Sequence, residues 1–93
     1  MEQYILAYDC GTGGTKASLY DSSSACLASD FAACETHYPH DGWHEQRPED
    51  WWRSVVESTK RLFRDCPVDQ AAVEAIGISG HSLGLVPLDA DGK

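Results

Sequence analysis

Apolar and polar positions at the start of the chain follow the two-residue period of β-strands. Mostly apolar residues over 3–9 suit a buried strand, and the alternation over 15–21 predicts a second strand. A third strand is predicted from residue 26 to about residue 38, after a serine-rich turn. The first part of the chain is therefore predicted to form a three-stranded meander.

The period changes to that of a helix at Pro48, which suits the first helical position. Acidic residues in the first turn favour this start, and Cys66-Pro67 predicts the end. The apolar side chains are expected to share one packing face, and they are Trp51, Trp52, Val55, Val56, Leu62 and Phe63. A sugar-stacking role for the two tryptophans is the alternative to core packing.

Two further strands are predicted after the helix, over Val73–Ser79 and over residues 85–88. Residues 89–92 have the composition of a turn, and the chain contains no later strand that could pair with 85–88. We therefore expect an α/β fold that is incomplete, and a chain that is the opening segment of a longer protein.

Composition narrows the class of protein. A chain of 93 residues holds at most one small domain, and its net charge of −8 argues against nucleic acid or an anionic membrane as partner. No apolar run has the length of a bilayer and no signal peptide begins the chain, so a cytoplasmic protein is expected. The cysteines are expected to be free thiols, and they are Cys10, Cys26, Cys34 and Cys66.

The turn between the first two strands has the residues of a polyphosphate site. In order, these are Asp9, Gly11, Thr12, Gly13, Gly14, Thr15 and Lys16. Glycines let backbone N–H groups approach phosphate oxygens, while the threonine hydroxyls and the lysine add donors and charge. Asp9 could hold Mg²⁺ through water. The alternative is a hairpin turn in which glycine serves only backbone geometry. Walker A and Rossmann loops are excluded, because a strand and not a helix follows.

Two other groups of residues suggest different chemistry. The segment 80–84 matches G-x-S-x-G, which makes Ser82 the nucleophile of an α/β-hydrolase in the rival interpretation. That motif requires a following helix, and Pro87 disfavours one. The second suggestion is a metal site formed by Cys34, His37, His40 and His44. The spacing of these residues matches no established zinc module.

Three blocks together resemble the FGGY family of carbohydrate kinases. Residues 9–16 are similar to its phosphate motif D-x-G-T-[ST]-x-x-[KR]. Residues 43–52 resemble the block W-x-E-Q-[DN]-P-x-x-W-W of xylulokinase-like members, and residues 75–84 resemble G-I-[ST]-G-Q-M-H-G. The glucokinase-like group shares only the first block, and loosely.

The resemblance implies an actin-like, ribonuclease-H-like ATPase fold, with residues 1–93 as the N-terminal portion of its first domain. It implies ATP-dependent phosphorylation of a sugar or polyol hydroxyl, with Mg²⁺ held by Asp9 and phosphates facing residues 11–16. The substrate would contact His81, Ser82 and Leu83. The catalytic aspartate, the second phosphate loop and the adenosine pocket would lie beyond residue 93, so the chain alone would be inactive. A homodimer of the complete protein is an option.

The chain departs from the family pattern at two places. Gly13 stands where the family has Ser or Thr, which removes one hydroxyl donor. His81-Ser82-Leu83 stands where xylulokinases have Gln-Met-His, and a leucine cannot hydrogen-bond a substrate hydroxyl. The sugar is therefore left open, and a non-catalytic nucleotide-binding fragment remains an alternative to the kinase.

Overall fold

The computed structural model describes residues 2–80 and 84–93. Its elements, in chain order, are β1 (Tyr4–Cys10), β2 (Gly14–Asp21), β3 (Cys26–Ala33), α1 (Pro48–Asp65), a single 3-10 turn (Gln70–Ala72) and β4 (Val73–Ser79). The predicted meander, the helix and the strand after it are confirmed, and apart from the end of β3 their boundaries are close to those expected from the sequence.

The four strands form one mixed sheet in the order β3-β2-β1-β4. The first three strands are antiparallel neighbours, whereas β4 lies parallel to β1 on its other side. Asp9 near the end of β1 is paired with Lys16 of β2 and with Ser79 of β4. The β1–β2 turn and the end of β4 therefore meet at the same edge of the sheet.

Helix α1 covers β2 and β3 on one face of the sheet. The core between them consists of Leu6, Tyr8, Ala17, Leu19 and Leu62. Because side chains alternate along a strand, the neighbouring residues of β1 and β2 lie on the opposite face, which no described helix covers. Because only the face of the sheet toward α1 is buried, apolar and polar residues alternate along the strands of the meander.

The packing face of the helix differs from the one predicted. Trp52 is 68% exposed, while Ser54 and Ser58 are 2% and 0% exposed. The sheet side of the helix is thus built from small residues above Leu62, which allow the helix to approach the strands closely. The prediction that both tryptophans share the core face was wrong for Trp52, because hydrophobicity alone cannot indicate where a close approach requires small side chains.

Hydrogen bonds satisfy the buried hydroxyl groups of this interface. Ser54 Oγ donates to the Trp51 carbonyl at 2.7 Å, and Ser58 Oγ donates to the Val55 carbonyl at 3.1 Å. Such bonds to the preceding turn let serine occupy a buried helix position without an unsatisfied donor.

The turn between β2 and β3 forms as predicted around the Asp21 carboxylate. It accepts hydrogen bonds from the Ser23 hydroxyl at 2.6 Å and from the Ala25 amide at 3.0 Å, and Ser24 adopts a φ of 67°. The Ser23 hydroxyl, followed by the Ala25 amide, holds the pKa of Asp21 below its usual value, because both donors favour the ionised carboxyl.

Two predicted strand extents were wrong. Strand β3 ends at Ala33, opposite Gly14, where β2 begins and the partner backbone is lost. Beyond it, only an isolated bridge between His37 and Glu45 continues the pairing. Residues 85–88 form no strand within the described part of the chain, because no neighbouring strand offers backbone partners.

The turn predicted at residues 89–92 is present. The Gly92 amide donates to the Asp89 carbonyl at 3.0 Å, and the Asp89 carboxylate accepts from the Asp91 and Lys93 amides at 2.9 Å.

All four cysteines are free thiols. Helix α1 lacks the apolar length that crossing a bilayer requires, as does every helix in the described ranges.

Gly14 is the residue whose replacement should damage the fold most directly. A Cβ at this position would lie 2.2 Å from the Ala32 carbonyl oxygen, and its φ of +150° disfavours any other residue. Gly14→Ala should therefore lower the free energy of unfolding by about 2–4 kcal/mol. Chemical denaturation of the chain measures this loss.

Gly13→Ala is the matched control, because its Cβ would find its nearest neighbour at 3.9 Å. This variant should unfold within about 0.5 kcal/mol of the wild type. Equal unfolding midpoints for the two variants would show that β3 does not approach Gly14 as closely as described.

Candidate phosphate-binding site

The β1–β2 turn is held by hydrogen bonds to three consecutive carbonyl oxygens. Gln46 Nε2 donates to the Thr12 carbonyl at 2.7 Å, the Cys34 amide donates to the Gly13 carbonyl at 3.0 Å, and the Gly11 amide donates to the Gly14 carbonyl at 2.9 Å. These donors come from the turn itself, from the end of β3 and from the loop before α1. The conformation of the turn is consequently held by the rest of the protein.

The structure requires glycine at one position of the turn but not at two others. Gly14 is required by the close approach of β3, as the hairpin alternative proposed. A Cβ on Gly11 or Gly13 would meet nothing closer than 3.7 Å, and neither residue has a left-handed φ. The fold therefore leaves these two positions free, and bare backbone there is typical of loops that bring amides close to phosphate.

Thr12 and Gly13 are exposed at the mouth of a cavity of about 850 Å³. Its other walls come from the loop before α1, from Trp51 at the start of the helix, and from residues 84–87. A cavity of this size accommodates a small organic ligand. The predicted phosphate turn thus opens onto a cavity with room for a ligand of that kind.

Asp9 and Lys16 lie in a second, smaller cleft of about 220 Å³ on the uncovered face of the sheet. They are exposed and paired across β1 and β2, so both side chains point to this face. The Ser79 hydroxyl donates to Asp9 Oδ1 at 3.3 Å. The structure therefore brings Asp9 and Lys16 together, and it places Thr12 and Gly13 in a neighbouring cavity and not in the same one.

Thr15 does not fit the role that the sequence suggested for its hydroxyl. The residue is 2% exposed, and its Oγ1 lies 2.6 Å from Ser54 Oγ. Since Ser54 Oγ donates to its own helix, Thr15 acts as the donor in this pair. The hydroxyl joins the sheet to the helix and is not available to a phosphate, because strand alternation turns it toward the core.

Gln46 is the residue of this site that sequence reasoning missed. It is the only side chain among the described residues that donates to a carbonyl of the turn. The available signal was the resemblance of residues 43–52 to a family block that contains this glutamine. A glutamine in an irregular loop carries no period that would predict a contact with a residue 34 positions earlier.

Residues 81–83, predicted to contact substrate, lie outside the described residues, and so does the hydrolase nucleophile candidate Ser82. Residues 84–93 form no helix, although the hydrolase motif needs one directly after the serine. Within the described ranges, no three of the histidine, cysteine and acidic side chains meet in a group that could hold a metal ion.

Comparison with known proteins places this geometry in a family. The model of the N-terminal domain of the FGGY family of carbohydrate kinases matches residues 4–93. The chain belongs to the FGGY family. The fold is therefore the N-terminal part of an actin-like ATPase domain, and the expected resemblance is confirmed.

Individual FGGY relatives are kinases of different small polyols and sugars. The chain is 41% identical over 78 residues to a glycerol kinase from Trichodesmium erythraeum, which covers 84% of this chain and 16% of that protein. A glycerol kinase from Thermococcus gammatolerans is 30% identical over the whole chain and 19% of its own length. The chain thus spans less than a fifth of these relatives.

Solved FGGY structures agree with the fold. The chain superimposes on a xyloylose kinase from Brucella ovis with a TM-score of 0.91 and 31% identity, over 98% of this chain and 19% of that one. For a gluconate kinase from Lactobacillus acidophilus, the TM-score is 0.89 and the identity 27%, over 100% and 18% of the two chains. The hydrolase alternative gains no support from the family or from these relatives.

The different placement of the two threonines predicts different effects of removing their hydroxyls. Thr15→Val deletes a buried hydrogen bond while preserving side-chain shape, and Ser54 keeps its bond to the helix. We expect the free energy of unfolding to fall by about 1 kcal/mol, measured by urea denaturation.

Thr12→Val serves as the control, because Thr12 is exposed and lies in the turn. Its unfolding free energy should stay within about 0.5 kcal/mol of the wild type. If Thr12→Val were the more destabilising change, the assignment of Thr15 to the helix interface would be wrong.

Proposed function

We propose that these 93 residues form the N-terminal portion of the first domain of an ATP-dependent carbohydrate kinase, which transfers a phosphoryl group to a hydroxyl of a small sugar or polyol. The observation that carries the proposal is the fixed glycine turn, whose exposed residues Thr12 and Gly13 open onto the large cavity. "Complete kinase" below means a protein in which these residues are followed by the remaining segments of the relatives.

Backbone amides are the main phosphate donors in this proposal. The turn carbonyls are already engaged by the protein, so the unused groups of residues 12 and 13 are N–H donors and the Thr12 hydroxyl. A phosphate accepts hydrogen bonds and carries negative charge, which matches such a donor set. Preorganised donors of this kind stabilise the charge on a phosphoryl group in transfer without reorganising.

Lys16 supplies the positive charge. Its side chain is exposed beside Asp9, and the chain carries a net charge of −8 that would otherwise repel a nucleotide. A lysine ammonium acts on phosphate oxygens as a mobile point charge, which allows it to reach from the sheet face toward the turn. We assign Lys16 to the β- and γ-phosphates of ATP.

Asp9 is the proposed residue for Mg²⁺. Magnesium is usually held by one or two carboxylates, waters and substrate phosphates, and a single exposed carboxylate beside a phosphate site meets that requirement. The Ser79 hydroxyl donates to one carboxylate oxygen, which orients the group and leaves the other oxygen open. When bound, Mg²⁺ neutralises part of the charge on the transferred phosphoryl group.

The acceptor is proposed to be a polyol or sugar because the relatives are named as glycerol, xylulose and gluconate kinases. His81, Ser82 and Leu83 are the proposed contacts of the substrate. An aspartate that accepts the proton of the attacking hydroxyl is expected in the remainder of the complete kinase. We further propose a cytoplasmic enzyme, with a homodimer as an option.

Lys16 and Asp9 give the sharpest test of this assignment. In the complete kinase, Lys16→Ala and Asp9→Ala should each lower kcat by roughly 100-fold or more, because charge stabilisation in the transition state is lost. The KM for the sugar should change little. Coupled-enzyme measurement of ADP release at saturating sugar gives both constants.

Lys60→Ala and Asp91→Ala are matched controls, since both residues are exposed and far from the turn in sequence. Unchanged ATP kinetics in the Lys16 and Asp9 variants would refute the phosphate assignment. The isolated 93-residue chain should release no ADP with any sugar, because the general base is proposed to lie in the remainder of the complete kinase. Sugar-dependent turnover by the purified chain would refute the proposal that the general base lies in the remainder of the complete kinase.

Leu83 is proposed to contribute to the choice of sugar. Leu83→His would provide a side chain that can hydrogen-bond a substrate hydroxyl, as the family histidine does. We expect the ratio of kcat/KM values for xylulose and glycerol to change by about tenfold or more, with the KM for ATP unchanged. A change in the KM for ATP alone would place Leu83 outside the sugar pocket.

A further inference from the structure

Gln46 connects three separate parts of the structure through one side-chain amide. Its Nε2 donates to the Thr12 carbonyl at 2.7 Å and to Thr36 Oγ1 at 3.0 Å. Its Oε1 accepts from Trp51 Nε1 at 2.8 Å. The turn, the loop after β3 and the first turn of α1 therefore meet at this residue.

The orientation of the Gln46 amide is fixed by its partners. An indole N–H can only donate and a carbonyl oxygen can only accept, so the amide oxygen must face Trp51 and the nitrogen must face Thr12. Both hydrogens of the amide nitrogen are used, one on Thr12 and one on Thr36. A side chain with every polar group engaged has little freedom to rotate.

The bond to the Thr12 carbonyl also determines where the next amide points. In a trans peptide, the carbonyl of one residue and the N–H of the following residue point in opposite directions. With the Thr12 carbonyl held by Gln46, the Gly13 N–H must face away from Gln46. Among residues 2–80 and 84–93, the Gly13 N–H donates no hydrogen bond, which leaves it open to a ligand.

We infer that Gln46 is a positioning residue for nucleotide binding: it holds the Thr12–Gly13 peptide so that the Gly13 amide can donate to a phosphate oxygen of ATP. The inference rests on the proposed function of the turn. Cys34 acts in the same way on the next peptide, where its backbone amide holds the Gly13 carbonyl. Gln46 differs because it does so through a side chain, which mutation can remove.

Gln46→Met in the complete kinase removes the hydrogen bonds at nearly constant length. Without the bond, the Thr12–Gly13 peptide can rotate, and the Gly13 amide loses its fixed direction. We expect the KM for ATP to rise by about tenfold, which is the size expected from one lost hydrogen bond to a charged group. The KM for the sugar should stay within about twofold.

Thr36→Val is the matched control, because it deletes the other acceptor of the same nitrogen and leaves the Thr12 bond in place. It should lower thermal stability about as much as one lost part-buried hydrogen bond does, with the KM for ATP within about twofold of the wild type. An equal rise in the KM for ATP in both variants would show that Gln46 only stabilises the loop before α1. That result would overturn the inference that Gln46 positions the Gly13 amide.

Gln46→Glu gives a second route if the methionine variant does not fold. The carboxylate still accepts from Trp51, but it cannot donate to the Thr12 carbonyl. The KM for ATP should rise at least as much as in Gln46→Met, and a wild-type value would overturn the inference. If the wild-type complete kinase uses ATP and the Gln46 variants have the same KM for ATP, only the positioning role of Gln46 is refuted. If the complete kinase does not use ATP at all, the proposed function and the positioning role are both refuted.

Discussion

The site depends on the anchoring of the β1–β2 turn through its carbonyl oxygens. A glycine-rich turn is the most flexible kind of backbone, and a flexible turn would have to be ordered each time it bound a phosphate. Hydrogen bonds to the Thr12, Gly13 and Gly14 carbonyls supply that order in advance. In a trans peptide the carbonyl and the following N–H point in opposite directions, so the bond that holds the Thr12 carbonyl also directs the Gly13 N–H away from Gln46.

Helix α1 stabilises the anchored β1–β2 turn through side-chain hydrogen bonds. Thr15, the first residue after the turn glycines, donates to Ser54 of α1, and Trp51 in the preceding turn of the helix donates to Gln46. The start of α1 is thereby joined both to the beginning of β2 and to the loop that anchors the turn. Small buried side chains on the helix make this close contact geometrically possible. The polar character of the interface, which would be costly if unpaired, is what links core packing to the site.

The division of the sheet into a covered and an uncovered face also separates structural from chemical residues. Thr15 faces the helix and serves the fold, whereas its neighbour Lys16 faces the open side and serves the proposed chemistry. Asp9 is on the same open side, next to Ser79 of the parallel strand. One register step thus decides which residues of a continuous motif are available to a ligand. Membership of the FGGY family explains why the motif is there, and the register explains which members of it remain exposed.

The sequence by itself determined the order of the elements, the turn and the family, because strand period, helix start signals and glycine spacing are local properties. Only the tertiary structure decided that Thr15 belongs to the core, that Trp52 is exposed, and that residues 85–88 pair with no strand of residues 2–80. It also revealed the bond from Gln46 to the turn. These features depend on which distant backbone or side chain comes near, and a local pattern contains no information about a partner that is remote in the chain.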